Sequence, residues 1–245
     1  MDDLRMTDLP IRVLVHGASG RMGRALVRLI ADDPRLALAA AVTARPRDDL
    51  GARPSLTADR LHEAPAFDVA IDFSLPEGFP GILALCVDRG CPLVSGTTGL
   101  GSDDWRALEA AASKIPVVWA ANFSLGVAVL TELVRQAARA LPGWDCDIIE
   151  SHHVHKKDAP SGTALHLGQA AEVARGRAPH YASIRAGDIV GEHTVMLSGT
   201  CERLELVHRA TDRDVFARGA LEAALRLPGR PPGRFGLGDL LFAVP

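Results

Sequence analysis

Lysine is nearly missing from this 245-residue chain: of its 27 lysine and arginine residues, only Lys114, Lys156 and Lys157 are lysine. Cysteine is almost as rare. Cys86, Cys91, Cys146 and Cys201 form no CxxC pair and show no zinc-type spacing, which excludes a disulfide framework and leaves small apolar side chains suited to a reducing compartment. A strong charge of either sign is also lacking. The formal net charge of -3 supplies no general attraction to nucleic acid or to an anionic membrane, so the expected partners are small molecules or further copies of the chain. No apolar run is long enough to span a bilayer, and MDDLRMTDLP at the N-terminus lacks the basic-then-apolar order of a secretory signal. A cytoplasmic location is therefore expected. What remains, 47% hydrophobic and 23% charged residues, is the composition of a globular protein with one large domain or two modest ones.

The apolar pattern divides the chain in two. IRVLVH at 11–16 runs into GASGRMG, after which Met22, Leu26, Leu29 and Ile30 recur at helical spacing. Further strand-like runs follow at 36–42, 67–73, 91–95 and 115–120, with helical stretches at 77–89 and 103–113 between the later ones. Short apolar strands alternating with helices predict an α/β fold with a doubly wound parallel sheet over residues 11–121. Beyond residue 123 the pattern becomes α+β: a helix at 125–140, the strand DCDIIE, a polar histidine loop and a helix from Ser161. HTVMLSG at 193–199 and RLELVHRA at 203–210 then read as an antiparallel pair around a short turn. Residues 212–227 read as a helix returning to the first domain, and PGRPPGR at 228–234 as a turn or loop.

The first candidate site is the glycine turn. Gly17, Gly20 and Gly23 lie between a strand and an amphipathic helix, where glycine permits a sharp turn, close approach to a pyrophosphate and tight packing of the new helix. The helix start adds N–H groups and the positive end of its dipole. At the end of the second strand an acidic residue favours NADH, because it bonds the ribose 2'-hydroxyl, whereas arginine accommodates the 2'-phosphate of NADPH. The chain offers Thr43, Ala44, Arg45, Pro46 and Arg47 there, with no acid, so NADPH is expected over NADH, with Arg45 or Arg47 at the phosphate.

The second candidate site is ESHHVHKKDAPSGT at 150–163. Ser161 after Pro160 caps a helix whose first N–H groups, at Gly162 and Thr163, offer a seat for a carboxylate. Three histidines within four residues raise the alternative of a zinc site, but neighbouring residues on an extended chain point apart and two lysines oppose a cation, so no metal is expected. A solvated polar loop is the other alternative. Proton transfer is the favoured reading, since an ammonium can release its proton when its pKa is depressed and the guanidinium this chain otherwise prefers effectively cannot.

With these motifs in hand the chain resembles the dihydrodipicolinate reductase family, which reduces 4-hydroxy-tetrahydrodipicolinate in the diaminopimelate route to lysine. The resemblance rests on GASGRMG, IDFSLPEG, SGTTG, AANFSLGV, ESHHVHKKDAPSGTAL, RAGDIVGEHTV and ERLELVHRATDRDVFARGAL, and covers almost the whole chain. It implies a dinucleotide-binding domain at 1–122 completed by 213–245, and a substrate-binding and oligomerisation domain at 123–212, with the active site between them and a homotetrameric assembly. It implies that Gly17, Ala18, Ser19, Gly20, Arg21 and Met22 cradle the pyrophosphate. Thr43, Arg45, Gly96, Thr97, Thr98, Ala120, Ala121, Asn122 and Phe123 complete the cofactor site. By the same resemblance His152 and Lys156 handle protons, while His153, Gly162, Thr163 and Arg213 hold the carboxylates of a small dicarboxylate. A related reductase of another small imine or keto acid, and a dinucleotide-binding protein without turnover, remain as alternatives.

Overall fold

The computed structural model describes residues 9–45 and 55–242. In chain order the elements are β1 (Ile11–His16), α1 (Arg21–Asp32), β2 (Leu36–Thr43), β3 (Ser55–Thr57), β4 (Val69–Asp72), α2 (Phe79–Arg89), β5 (Leu93–Ser95), α3 (Ser102–Ala112) and β6 (Pro116–Trp119). They continue as α4 (Leu125–Ala140), β7 (Asp145–His152), α5 (Gly162–Arg175), β8 (His180–Arg185), β9 (Gly191–Ser198), β10 (Arg203–Ala210), α6 (Asp214–Arg226), β11 (Gly233–Phe235) and α7 (Leu237–Phe242). Two compact units result, one from Met1–Phe123 with Phe216–Pro245 and the other from Ser124–Val215.

The first unit is built on a seven-stranded sheet of order β11-β6-β5-β4-β1-β2-β3, in which every pairing is parallel. Its central strands are apolar on both faces because both faces are covered: Val13, Leu14, Val15, Val69, Ala70 and Ile71 are fully buried. Phe79, Ile82 and Leu83 of α2 and Leu108 of α3 join Leu14, Leu93 and Val117 in one core. Helix α2 stops at Gly90, whose left-handed φ of 62° brings its N–H back onto the last turn. All strand C-termini of a parallel sheet lie at one edge, and the loops leaving that edge are where such folds hold ligands.

The second unit is a four-stranded mixed sheet of order β10-β9-β7-β8, with β7 antiparallel to β9 and parallel to β8. Alternation along β7 and β9 sends Cys146, Ile148, Val195 and Leu197 to the face that packs against Leu130 and Val134 of α4 and Leu167 and Ala171 of α5. The opposite face carries Ile149, Thr194 and Met196 and the exposed Ile184 and Val207. Among the described residues no helix is long and apolar enough to cross a membrane, and all four cysteines are free thiols.

Three strands lie outside the sequence reading. β3 and β11 have three residues each, too few to show a period, and β8 is a largely exposed edge strand without a clean alternation. The segment 228–234, read as a turn or loop, ends instead in a strand: Gly233 and Arg234 pair with Pro116 and Val117 and extend the first sheet beyond β6.

Candidate active site

The glycine turn is forced by its neighbours. Gly17 has φ of 79°, and a Cβ there would stand 2.5 Å from the Phe73 carbonyl oxygen, so no other residue fits. At Gly23 a Cβ would lie 2.2 Å from the Gly17 oxygen, which is how closely α1 presses on the turn. The N–H groups of Gly17 and Ala18 both donate to the Val42 carbonyl, at 3.0 and 2.9 Å, locking the turn onto the end of β2. Helix α1 then starts at Gly20 with no side-chain cap and no acidic residue in its first turn. A cradle that a single Cβ would fill, opening onto an uncapped helix start, fits the diphosphate of a dinucleotide.

The other cofactor candidates of this unit lie at the same edge of the sheet. Gly96 follows β5 and has Phe73 against it, since a Cβ there would sit 2.2 Å from the ring. Thr97 is buried and its carbonyl accepts from the Trp119 indole at 2.8 Å, whereas Thr98 is exposed. Ala120, Ala121, Asn122 and Phe123 follow β6, with the Phe123 ring edge-on to Phe73 at 5.6 Å. Thr43 is buried and its hydroxyl donates to the Arg45 carbonyl at 2.5 Å, so this side chain shapes the loop in which the Arg45 side chain is exposed. Arg47 lies outside the described residues.

In the second unit, the i, i+2 spacing of a strand puts Glu150 and His152 on the same covered face of β7. Arg185, at the end of β8 and paired in register with His152, grips both oxygens of Glu150 at 2.9 and 2.7 Å. That carboxylate also accepts from the His152 Nδ1–H and the Ser161 backbone N–H, the latter at 3.2 Å. Burial alone pushes the Glu150 carboxyl up, but the hydrogen bonds from Arg185, Ser183 and His152 outweigh it and hold the pKa at about 2. Glu150 is therefore an anion at any pH the protein works in, and its acceptor oxygen fixes His152 as the tautomer with Nδ1 protonated. Nε2 is the nitrogen left without a proton while the ring is neutral. Gly191 keeps room for it, because a Cβ there would be 3.1 Å from His152 Nε2. Burial lowers the His152 pKa below the ordinary imidazole value, with Glu150 opposing and Lys156 and Arg185 reinforcing the shift.

Arg185 also shapes the histidine loop. Its Nε donates to the Lys156 carbonyl at 3.3 Å and its Nη2 to the Asp158 carbonyl at 2.5 Å. The same guanidinium thus holds the base of His152 and the backbone beneath Lys156. Lys156 Nζ pairs with Asp158 at 2.9 Å, which, together with a hydrogen bond from Gly162, lowers the Asp158 pKa. His153 Nε2 accepts from Arg213 Nη2 at 3.2 Å. Helix α5 begins beside them: Ser161 caps it by accepting from the Ala164 N–H at 3.2 Å and is backed by His193, whose Nε2 is 3.2 Å from the serine oxygen. Burial, with His152 and His208 adding like-charge repulsion, pushes His193 down to about 4, so it is neutral.

The residues proposed for proton handling and for substrate carboxylates, namely His152, His153, Lys156, Gly162, Thr163 and Arg213, are thus drawn around the end of β7 and the start of α5. Among the described residues no three His, Cys, Asp or Glu side chains converge as a metal site. Sequence reasoning assigned no role to Glu150, Arg185 or His193 in this unit, nor to His16 and Asp72 in the first. The readable signals were an Asp inside the apolar run FDVAIDF, a His closing IRVLVH, and a Glu two residues before His152.

Residues 11–123 match the family model "Dihydrodipicolinate reductase, N-terminus", and residues 126–241 match "Dihydrodipicolinate reductase, C-terminus". A 4-hydroxy-tetrahydrodipicolinate reductase of Stenotrophomonas maltophilia (strain K279a) is 65% identical over 240 residues, covering 96% of this chain and all of the relative. The same-named protein of Xylella fastidiosa (strain 9a5c) is 59% identical over 95% of this chain and 98% of its own length. Among solved structures, a dipicolinate-bound dihydrodipicolinate reductase from Paenisporosarcina sp. TG-14 superposes with a TM-score of 0.82 at 21% identity, covering 96% of this chain and all of that one; at that identity the likeness concerns the fold.

Proposed function

We propose a division of labour that proceeds from one fact: the chain belongs to the dihydrodipicolinate reductase family. It is an oxidoreductase that reduces 4-hydroxy-tetrahydrodipicolinate to tetrahydrodipicolinate, with loss of water, in the diaminopimelate route to lysine. A reduced nicotinamide dinucleotide, when bound in the first unit's glycine turn, would supply the hydride for C4 of the substrate ring. The protein's task is to hold a dicarboxylate, to provide the proton that leaves with the 4-hydroxyl as water, and to keep both groups aligned.

In this reading Gly162 and Thr163 at the start of α5, with His153 and Arg213, bind the carboxylates. Lys156 or His152 supplies the proton. The observation that carries the assignment is the Glu150 anion gripped by Arg185, which orients His152 through Nδ1 while the same arginine holds the loop bearing Lys156. Asp158 holds Lys156 Nζ at 2.9 Å and leaves its other N–H groups for the substrate. Gly17, Ala18, Ser19, Gly20, Arg21 and Met22 take the pyrophosphate, and the loops at Gly96–Thr98 and Ala120–Phe123 take the nicotinamide half. Arg45, exposed after β2 with no acid beside Thr43, favours NADPH over NADH.

Two further assignments belong to the same proposal. The open face of the second unit's sheet, with Ile149, Ile184, Met196 and Val207, is the surface on which copies of the chain assemble into a tetramer. Four free thiols and the biosynthetic role fit the cytoplasm.

The test is oxidation of NADPH and NADH, followed at the nicotinamide absorbance, with freshly generated 4-hydroxy-tetrahydrodipicolinate. Wild-type protein should turn over, and Lys156→Ala should lose at least about a hundredfold in kcat while staying folded. Lys156→Arg, which restores charge but donates a proton poorly, should recover little of it. Normal turnover in Lys156→Ala removes that residue from the mechanism.

A further inference from the structure

A single buried carboxylate ties together three of the loops that leave the C-terminal edge of the first unit's sheet. Asp72 closes β4 and is completely buried, among strand residues that are otherwise apolar. Its Oδ1 accepts from His16 Nδ1 at 2.9 Å and from the Ser74 N–H at 3.1 Å, and its Oδ2 from Ser95 Oγ at 2.8 Å and Thr97 Oγ1 at 2.7 Å. His16 is the last residue before the glycine turn, Ser74 follows Phe73, and Ser95 and Thr97 flank Gly96. The four donors therefore come from three parts of the dinucleotide cradle. Burial alone pushes the Asp72 carboxyl up, but the His16 contact and the Ser74 and Thr97 hydrogen bonds outweigh it and keep the carboxyl below the usual range.

A packing role alone does not call for this arrangement. Val13, Leu14 and Val15 show that β1 is buried on both faces, and an apolar residue at position 16 would continue that pattern without burying a polar ring. His16 instead fills the space under the next loop, since a Cβ at Gly78 would stand 2.9 Å from its Cε1. The backbone follows the same course, with Phe73 N–H donating to the His16 carbonyl and Gly96 N–H to that of Asp72.

We propose that His16 and Asp72 are positioning residues for the dinucleotide: the pair sets the distances between the glycine turn, Phe73 and the Gly96–Thr98 loop, and through them the affinity for the cofactor. The proposal rests on the reading of the first unit as the dinucleotide cradle. Neither residue touches a reacting atom. Removing the imidazole leaves Asp72 one donor short and leaves the glycine turn tied to the Phe73 loop by the backbone bond alone.

The intact protein carries its own reporter, because Trp119 donates to the Thr97 carbonyl and its fluorescence follows that loop. NADPH and NADH are titrated into wild type, His16→Ala, His16→Asn and Asp72→Asn, read by tryptophan quenching and by the rise in melting temperature that the nucleotide produces. His16→Ala should weaken the nucleotide Kd by about tenfold, in line with loss of one hydrogen bond to a charged group. The nucleotide KM should rise in parallel while the dicarboxylate KM holds. His16→Asn, whose amide N–H reaches towards Asp72, should recover most of the affinity. Should Asp72→Asn not fold, the two His16 variants decide the matter. Wild-type affinity in His16→Ala, even with a lower melting temperature, overturns the proposal, and so does an equal rise in both KM values. If wild type itself binds neither nucleotide, the reading of the cradle falls first and the proposal with it.

Discussion

Glutamine at position 150 would keep the length and shape of the side chain and remove its charge, at the point where Arg185, His152 and Ser161 converge. The fall of the Glu150 pKa from its usual 4.5 to about 2 corresponds to about 3 kcal/mol of stability above pH 4.5. The Arg185 side chain is 19% exposed, so screening by water reduces the expected loss in Glu150→Gln to about 2 kcal/mol at pH 7. The sign follows from the direction of the shift. A depressed carboxyl contributes its full stability above its unfolded pKa and loses it as the pH falls towards the folded one. Wild type should therefore lose stability between about pH 4.5 and 2, and the variant should lack that part of the slope. Activity should suffer more than stability. An amide facing Nδ1 can donate or accept, so His152 is no longer held in one tautomer, and a kcat loss of about a hundredfold or more is expected, the scale of general acid-base assistance. Urea melts at several pH values and steady-state kinetics on the same preparations test both halves. A variant as stable as wild type to within about 0.5 kcal/mol, the scatter of ordinary surface changes, and with wild-type kcat would refute the reasoning.

Three other expectations follow from the same geometry. Gly191→Ala should displace the His152 ring and lower kcat with little effect on nucleotide affinity; an unchanged kcat would mean that Nε2 is not the working atom. His193, held neutral down to about 4, leaves the unfolded chain to take up a proton near 6.5 that the fold refuses, so stability present above pH 6.5 should be lost as the pH falls to 4, by up to about 3 kcal/mol. Urea melts of His193→Gln over that range should show a shallower slope, and an identical slope would contradict the assignment. Arg45→Ala should raise the KM for NADPH several-fold and leave that for NADH alone, and equal effects on both would place the 2'-phosphate elsewhere.

What the sequence disclosed and what it hid divide along physical lines. IRVLVH followed by GASGRMG, and the doubly apolar runs at β2, β4, β5 and β6, announce a parallel sheet because only burial on both faces tolerates such strands. The histidine-lysine loop stood out through residue type alone. Strands β3 and β11 stayed hidden because three residues cannot display a period, and β8 because an exposed edge imposes no alternation. The anchors stayed hidden for a different reason. Asp72, Glu150 and His193 lie in strands whose local pattern says only that they face inward, and apart from Ser74 and His152, two positions off, their partners sit 11 to 56 positions away. Sequence spacing shows which side chain is buried with its charge; only the fold shows what neutralises it.

The course of the chain through the first unit has a bearing on how the protein is made. Strand β11 pairs with β6 across more than a hundred intervening residues, and α6 presses so closely on the end of the N-terminal segment that a Cβ at Gly219 would lie 1.6 Å from the Phe123 oxygen. On a ribosome the β6 edge waits unprotected until β11 has been made, whereas the unit spanning Ser124–Val215 emerges as one continuous stretch and can mature in the meantime. Nascent-chain arrest before residue 230 should thus yield a folded second unit joined to an adhesive, half-finished first one, and the interval between those two lengths is when chaperones have most reason to engage.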